Sequence, residues 1–302
     1  MIKYFKFMVY AMVFMGCEQV IELKTDNDFQ GTVFVEGLLV VGKQPHIYFS
    51  EALPFAQSEV TPQQVFARGA EVILSTSAFS ELLLPDSVFN SFRCRWEPFY
   101  SGENKILLGA TYDLKIKYEG NFFSATTTIN QSKPSIEKIG YNPEFFDIYG
   151  GHDGVNIILK DPEGPGNYYR FQMNRRIDNS VAHAHILDVI QSTCTDDGEK
   201  FWVTDFGRSI FSDEGNDGKE LDLLVEVSFE YSEGDSTWIT MQSLDEKAAL
   251  FYKELDDQLI SIVNPFVEPV FLKSKIEGGA VGFFGSAVLS DSVLFIYPQD
   301  NP

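Results

Sequence analysis

Residues 111–129 read TYDLKIKYEGNFFSATTTI, and this stretch decides the fold class. Side chains of a strand point alternately to its two faces, so Leu114, Ile116 and Tyr118 share one face and Asp113, Lys115 and Lys117 the other. Glu119-Gly120-Asn121 interrupts the alternation with turn chemistry. Phe122 to Ile129, rich in aromatic and β-branched residues, then runs back, and the whole reads as a hairpin. The same rhythm extends upstream. Thr32 to Val41 (TVFVEGLLVV) is too short and too β-branched for a helix and reads as a buried strand, with His46 to Glu51 as its partner. EVILST from Glu71, Glu81 to Leu84, Val88 to Trp96 and Lys105 to Leu108 add further short strands between proline-marked and glycine-marked loops. Short strands at this spacing predict an immunoglobulin-like or transthyretin-like β-sandwich over residues 31–132.

Asn130-Gln131-Ser132-Lys133-Pro134 breaks the pattern and marks a domain boundary, with a second β-rich domain over 133–302. Its strands are expected at Ser135 to Tyr141, Val155 to Leu159, NYYRFQMNRRI after the turn Asp161 to Gly166, Leu221 to Tyr231, Thr237 to Met241 and Ser292 to Tyr297. One segment is different. Ser243-Leu244-Asp245-Glu246 has the Ser-x-x-Glu spacing of a capping box, and Leu244, Ala248, Phe251, Leu255, Leu259 and Ile262 follow as one apolar stripe. A helix over 244–262 is predicted, packed on the second domain and stopped by Pro265.

The chain has 302 residues, 14% of them aromatic with 27 Phe, which favours strands and suggests two domains. Against 44 acidic side chains stand 23 basic ones, a formal net charge of −21. Such a surface repels phosphate backbones, so nucleic acid is not an expected partner.

At the N-terminus, Lys3 and Lys6 precede nine uncharged residues, Phe7 to Met15, and Gly16-Cys17 opens an acidic stretch. The apolar run is too short to span a bilayer, which takes roughly 20 residues, and reads as a signal peptide over 1–16. A cysteine at the cleavage point, preceded by a small residue, is the arrangement that lipoprotein processing acylates. Phe14 and Met15 depart from the usual lipobox residues. Cys17 is the expected lipid anchor, residues 17–30 an acidic tether, and the lipid bilayer the first partner. Cys94 and Cys194 remain; in an oxidising compartment they can pair, and they can equally be small buried hydrophobes.

Candidate chemistry is sparse. His183 and His185 fall on one face of a strand and would offer a metal two ligands, short of the three that zinc requires from protein. Ser212 to Gly218 is an oxygen-rich loop in which Asp213 and Asp217 could serve calcium, although Leu224 stands where an EF-hand needs a bidentate Glu. A solvated strand face for the first and a solvated turn for the second are the favoured readings. No G-x-S-x-G, H-E-x-x-H or phosphate-cradling loop occurs, so no catalytic residue is assigned and no cofactor is expected. Trp96-Glu97-Pro98-Phe99-Tyr100 could stack on sugars or grip a protein, with core packing as the default.

Asn264-Pro265-Phe266-Val267-Glu268-Pro269, with Ile276-Glu277-Gly278-Gly279-Ala280-Val281-Gly282-Phe283-Phe284-Gly285, resembles the closing signature of a family of uncharacterised Bacteroidetes outer-membrane lipoproteins. Asp161-Pro162, Asn167-Tyr168-Tyr169-Arg170, Gly69-Ala70-Glu71-Val72 and Gly109-Ala110-Thr111-Tyr112 fit the same pattern, so the resemblance spans most of the chain. It implies an accessory encoded beside TonB-dependent receptors, a surface or periplasmic outer-membrane location, and no catalytic residues. The glycines themselves can serve simply as bends, bulges or points of close backbone approach. The expected function is therefore a lipid-anchored binding protein partnering a TonB-dependent nutrient transporter. The alternative is a lipid-anchored hydrolase of glycans or peptides. A deep pocket with converging carboxylates or histidines would favour the hydrolase, and a broad exposed aromatic patch the binding protein.

Overall fold

The expected alternation is carried out in strand after strand. In the computed structural model, which describes residues 31–53, 60–91, 93–147, 150–178, 183–185, 188–190, 199–226, 234–263, 268 and 270–297, the chain is mainly β. The signal-like segment, Cys17, the tether and Cys194 lie outside the described residues. The first half comprises β1 (Val33–Val40), β2 (His46–Glu51), a one-turn helix α1 (Pro62–Val65), β3 (Glu71–Ser75), β4 (Ser80–Asn90), β5 (Arg95–Ser101), β6 (Thr111–Tyr118) and β7 (Asn121–Thr128). The β6–β7 hairpin is the one read from sequence, paired from Tyr118↔Asn121 to Thr111↔Thr128, with Glu119 and Gly120 both at positive φ in the two-residue turn.

β8 (Ser135–Asp147), β9 (Gly150–Lys160), β10 (Tyr168–Asp178), β11 (His183–His185), β12 (Asp188–Ile190), β13 (Lys200–Ser212), β14 (Glu220–Glu226), β15 (Ser236–Leu244), helix α2 (Glu246–Val263), β16 (Val281–Leu289) and β17 (Val293–Ile296) follow. Twelve strands form one mixed sheet in the order β13-β10-β15-β16-β1-β2-β5-β4-β3-β6-β7, with β17 beside β15. β14-β9-β8 form a second sheet of three strands.

The link between the two halves is β16, which lies parallel to β1 with Val35 opposite Gly282 and antiparallel to β15 with Leu244 opposite Ala287. The large sheet therefore runs through the boundary at 130–134. β4 is its corner: Ser80 to Leu83 pair with β3 while Leu84 to Asn90 pair with β5, so that β3, β6 and β7 fold back over β1, β2 and β16. Between these layers lies the first core, including Val35, Leu39, Phe49, Leu74, Tyr112, Leu114 and Ile116, joined by Phe284 and Val288 of β16. The second core lies between the three-stranded sheet, with Val155, Ile157, Leu159, Leu221 and Leu223, and the odd-numbered face of β10 and β15, with Tyr169, Phe171, Met173, Ile239 and Met241. Helix α2 covers the opposite face of the large sheet, where Ala248, Phe251 and Tyr252 pack on Leu244, Phe283 and Ala287.

Three local expectations are corrected. Ser243 does not cap the helix: it is a buried residue of β15 opposite Tyr169, and the helix begins one residue after Asp245, whose Oδ1 accepts the Ala248 N–H at 2.8 Å. The ladder to β10 holds Ser243 extended, which its local sequence alone does not disclose. Lys105 to Leu108 is a loop rather than a strand; Ile106, fully buried, is pinned there by backbone hydrogen bonds with Lys43 and Gly42. Val88 to Trp96 spans two strands and the turn between them, and Glu81 to Leu84 belongs with Val88 to the single long strand β4.

Candidate binding face

The sequence of β15 around STWITMQSL places Thr237, Ile239 and Met241 inward, and so turns Trp238 outward. The same parity governs its neighbours. On β13 Phe201 and Val203 are buried while Trp202, Thr204 and Phe206 face out, and on β17 Phe295 is buried between outward Leu294 and Ile296. Because β10 lies between β13 and β15 and the four strands β13, β10, β15 and β17 are hydrogen-bonded in register, the outward residues form rows: Thr204, Asn174, Trp238 and Leu294 make one, and Trp202 pairs with Arg176 in the next. The exposure is large, at 60% for Trp202, 45% for Trp238, 47% for Leu294 and 59% for Ile296.

Helix α2 limits this face on one side. There the Arg170 guanidinium lies between the rings of Phe206 and Tyr252, 4.7 and 3.9 Å from their centroids, and donates from Nε to the Gly207 carbonyl at 3.2 Å. Tyr252 in turn donates its hydroxyl to Glu36 at 3.3 Å. Burial pushes the Tyr252 phenol well above its ordinary range, so it remains the donor. In the neighbouring rows of the same face, Gln242 donates its amide to Gln172 at 2.9 Å. Nothing in the spacing of Trp202, Trp238 and Leu294 along the chain announces that they meet; the parity of each strand was readable, but their adjacency comes from long-range pairing.

The acidic loop is a different kind of feature. Asp213 and Asp217 come together with Asp161, from the DPEGPG turn, with one oxygen of each within 4.8 Å of the others. These oxygens already serve as acceptors. Asp161 takes the Tyr169 hydroxyl and the Gly218 N–H, the latter at 2.9 Å. Asp213 takes the N–H groups of Gly166 and Asn167 and the Asn167 amide, each at 3.2 Å, and Asp217 takes the Gly164 N–H at 2.8 Å. Burial, and next the bond to Asp161, push the Tyr169 phenol above its ordinary range, so it keeps the proton in that contact. The cluster thus locks two turns together by carboxylate-to-amide bonds. Replacing Asp213 with Ala strands two backbone donors, and an expected loss of about 2 kcal/mol of stability follows. Denaturant melts should give the same loss with calcium and with a chelator.

His183 and His185 lie on β11, paired with β12, and their side chains are outside the described residues. Of the aromatic run at 96–100, Tyr100 is fully buried with its hydroxyl bonded to the Ala67 carbonyl at 2.7 Å, and Phe99 is buried against His46 at a centroid distance of 4.2 Å. Only Trp96 is outside, 51% exposed beside Phe89 at the end of the β4–β5 hairpin. Cys94, in the turn of that hairpin, is disulfide-bonded, with its partner outside the described residues. A half-open cavity of about 180 Å³ lies between Lys133, Ile136 and Asp291, the first and last joined by an ion pair of 2.6 Å. Among the described residues no helix is long and apolar enough to cross a membrane.

A comparison with curated proteins finds no match. Residues 18–291 match the family described as a domain of unknown function, DUF4249, and the chain belongs to that family.

Proposed function

We infer that this chain is a lipid-anchored binding protein of a Bacteroidetes outer membrane, held through acylated Cys17 and acting as the accessory of a TonB-dependent nutrient transporter. The observation that carries the binding role is the outward face of β13, β10, β15 and β17, where two indoles and two aliphatic side chains of a strongly acidic protein stand in solvent. Monomeric proteins rarely leave such a patch without a use. The converging carboxylates Asp161 and Asp213 favour binding over hydrolysis, because both are buried and engaged by backbone donors rather than directed into a cavity.

The anchor rests on the charged and apolar pattern of residues 1–16 and on the position of Cys17. It requires that Cys17 keep its thiol for acylation, so the disulfide at Cys94 is assigned to Cys194. Two measurements test this. Mass spectrometry of the natural protein, extracted from membranes, should find acyl chains on Cys17 and a linked peptide pair containing Cys94 and Cys194; a Cys17–Cys94 link would refute the anchor. Gentle extraction with a tagged chain should bring down a barrel protein in stoichiometric amount, and recovery of the tagged chain alone would refute the transporter role.

A further inference from the structure

The outward column of β10 is polar, and the strands on either side of it carry the large aromatic and aliphatic side chains, with Thr204 between Trp202 and Phe206 on β13. Arg176 is exposed and Asn174 half-buried along the midline. On one flank β13 presents Trp202 and Phe206; on the other β15 and β17 present Trp238, Leu294 and Ile296. A protein–protein interface has the reverse cross-section, an apolar centre inside a polar rim. Trp202 stands opposite Arg176 and Trp238 opposite Asn174, on strands either side of β10. Strand spacing and rise put the two backbone positions roughly 12 Å apart.

A ligand lying between them has to offer flat C–H faces to two rings while meeting a guanidinium and an amide with hydroxyls. Pyranose sugars do both, since their C–H bonds line the ring faces and their hydroxyls the rim. The polar midline is prepared for this role. Asn174 Oδ1 already accepts the Thr204 hydroxyl at 2.8 Å, which turns its amide into a donor, and among the described residues Arg176 enters no ion pair. Charge narrows the class further. A chain of net charge −21 repels a polyanion.

We propose that the outward face of β13, β10, β15 and β17 is a carbohydrate platform that holds a neutral oligosaccharide between Trp202 and Trp238, with Arg176 and Asn174 as its hydrogen-bond donors. The proposal rests on the binding role inferred above and is independent of both the anchor and the transporter.

The test uses the full chain purified in detergent and a panel of neutral cellulose-, xylan-, mannan-, starch- and laminarin-derived oligosaccharides, with calorimetry and tryptophan fluorescence as readouts. At least one member should bind. Trp202→Ala and Trp238→Ala should each weaken binding by about tenfold, as truncation of an aromatic anchor does. Arg176→Ala and Asn174→Ala should weaken it less, while Trp96→Ala, which removes an exposed indole elsewhere, should leave it unchanged. These side chains are exposed or half-buried, so the variants should fold with unaltered melting temperatures. Absence of binding across the panel at millimolar concentration overturns the platform, as does binding that survives the Trp202→Ala/Trp238→Ala double variant. If the double variant instead loses a co-purifying membrane protein while no saccharide binds, the face belongs to a protein contact and the proposal fails. Saccharide binding without a co-purifying barrel would uphold the platform and remove the transporter.

Discussion

Gly282→Ala should yield no stably folded protein. Gly282 lies in β16 at φ +129, a conformation L side chains rarely adopt, directly beside Val35 of β1. A Cβ there would sit 1.9 Å from the Val35 carbonyl oxygen and 2.8 Å from its carbon. Both obstacles are backbone, so no rotamer change relieves them, and the β1–β16 pairing has to separate. That pairing carries Phe284 and Val288 into the first core and Phe283 and Ala287 under helix α2. The expected cost exceeds about 4 kcal/mol, beyond the range of ordinary substitutions. A Cβ on Gly278 would lie 2.1 Å from the Phe122 carbonyl oxygen, so Gly278→Ala should behave similarly. Gly279 is the control: its φ is +91 but nothing lies within 4 Å, so Gly279→Ala should cost only about 1–2 kcal/mol of backbone strain. Expression, circular dichroism and denaturant melts of the three variants would check the ranking, and a well-folded Gly282→Ala would refute it.

Asp245→Ala is the second large effect expected. One carboxylate oxygen caps helix α2 through the Ala248 N–H. The other accepts the Thr127 hydroxyl at 2.7 Å and the Ser286 N–H at 3.0 Å, so this residue ties β7, β16 and the helix together. Loss of a cap costs about 1 kcal/mol, and the stranded Ser286 and Thr127 donors bring the total to roughly 3 kcal/mol. The midpoint of denaturant unfolding should fall accordingly.

Asp245 also has a pH signature. Its carboxyl is held above its ordinary value of 3.8, chiefly by desolvation, with the Thr127, Ala248 and Ser286 bonds pulling back. A raised folded value means that the fold prefers the protonated acid. Its contribution is therefore complete below pH 3.8 and is lost as pH rises through the folded value. Asp245→Asn retains the cap but not the ionisation, so the stability of the wild-type protein relative to this variant should grow as pH is lowered from neutrality towards 4. A difference independent of pH would remove the assignment.

Local chemistry made the hairpin at 111–129 and the apolar stripe of the helix legible, because a period of two and a period of 3.6 survive any tertiary context. The helix starts later than its local sequence pattern suggests, for a physical reason. Ser243 and Glu246 have the right spacing for a cap, yet the β15 ladder extends through Leu244 and transfers that role to Asp245. Asp161 was readable as a turn residue but not as the buried companion of Asp213, 52 positions on, which only the approach of the two turns brings close. Trp202 and Trp238 illustrate the same limit. Alternation tells which way a side chain points within its own strand, but not whether another layer covers it. In this protein helix α2 shields one end of the sheet face and leaves the other open.

The parallel β1–β16 seam carries a consequence for biogenesis. A chain made from its amino end delivers β1 long before β16, so the first sandwich waits, lacking an inner strand, until Val281–Leu289 has arrived. Contacts of such wide sequence separation slow folding and prolong the exposure of unsatisfied strand edges. Nascent chains should therefore remain open to proteases and holdase chaperones until β16 is released, and a truncation just before Val281 should leave the sandwich of β1 to β7 as vulnerable as the rest.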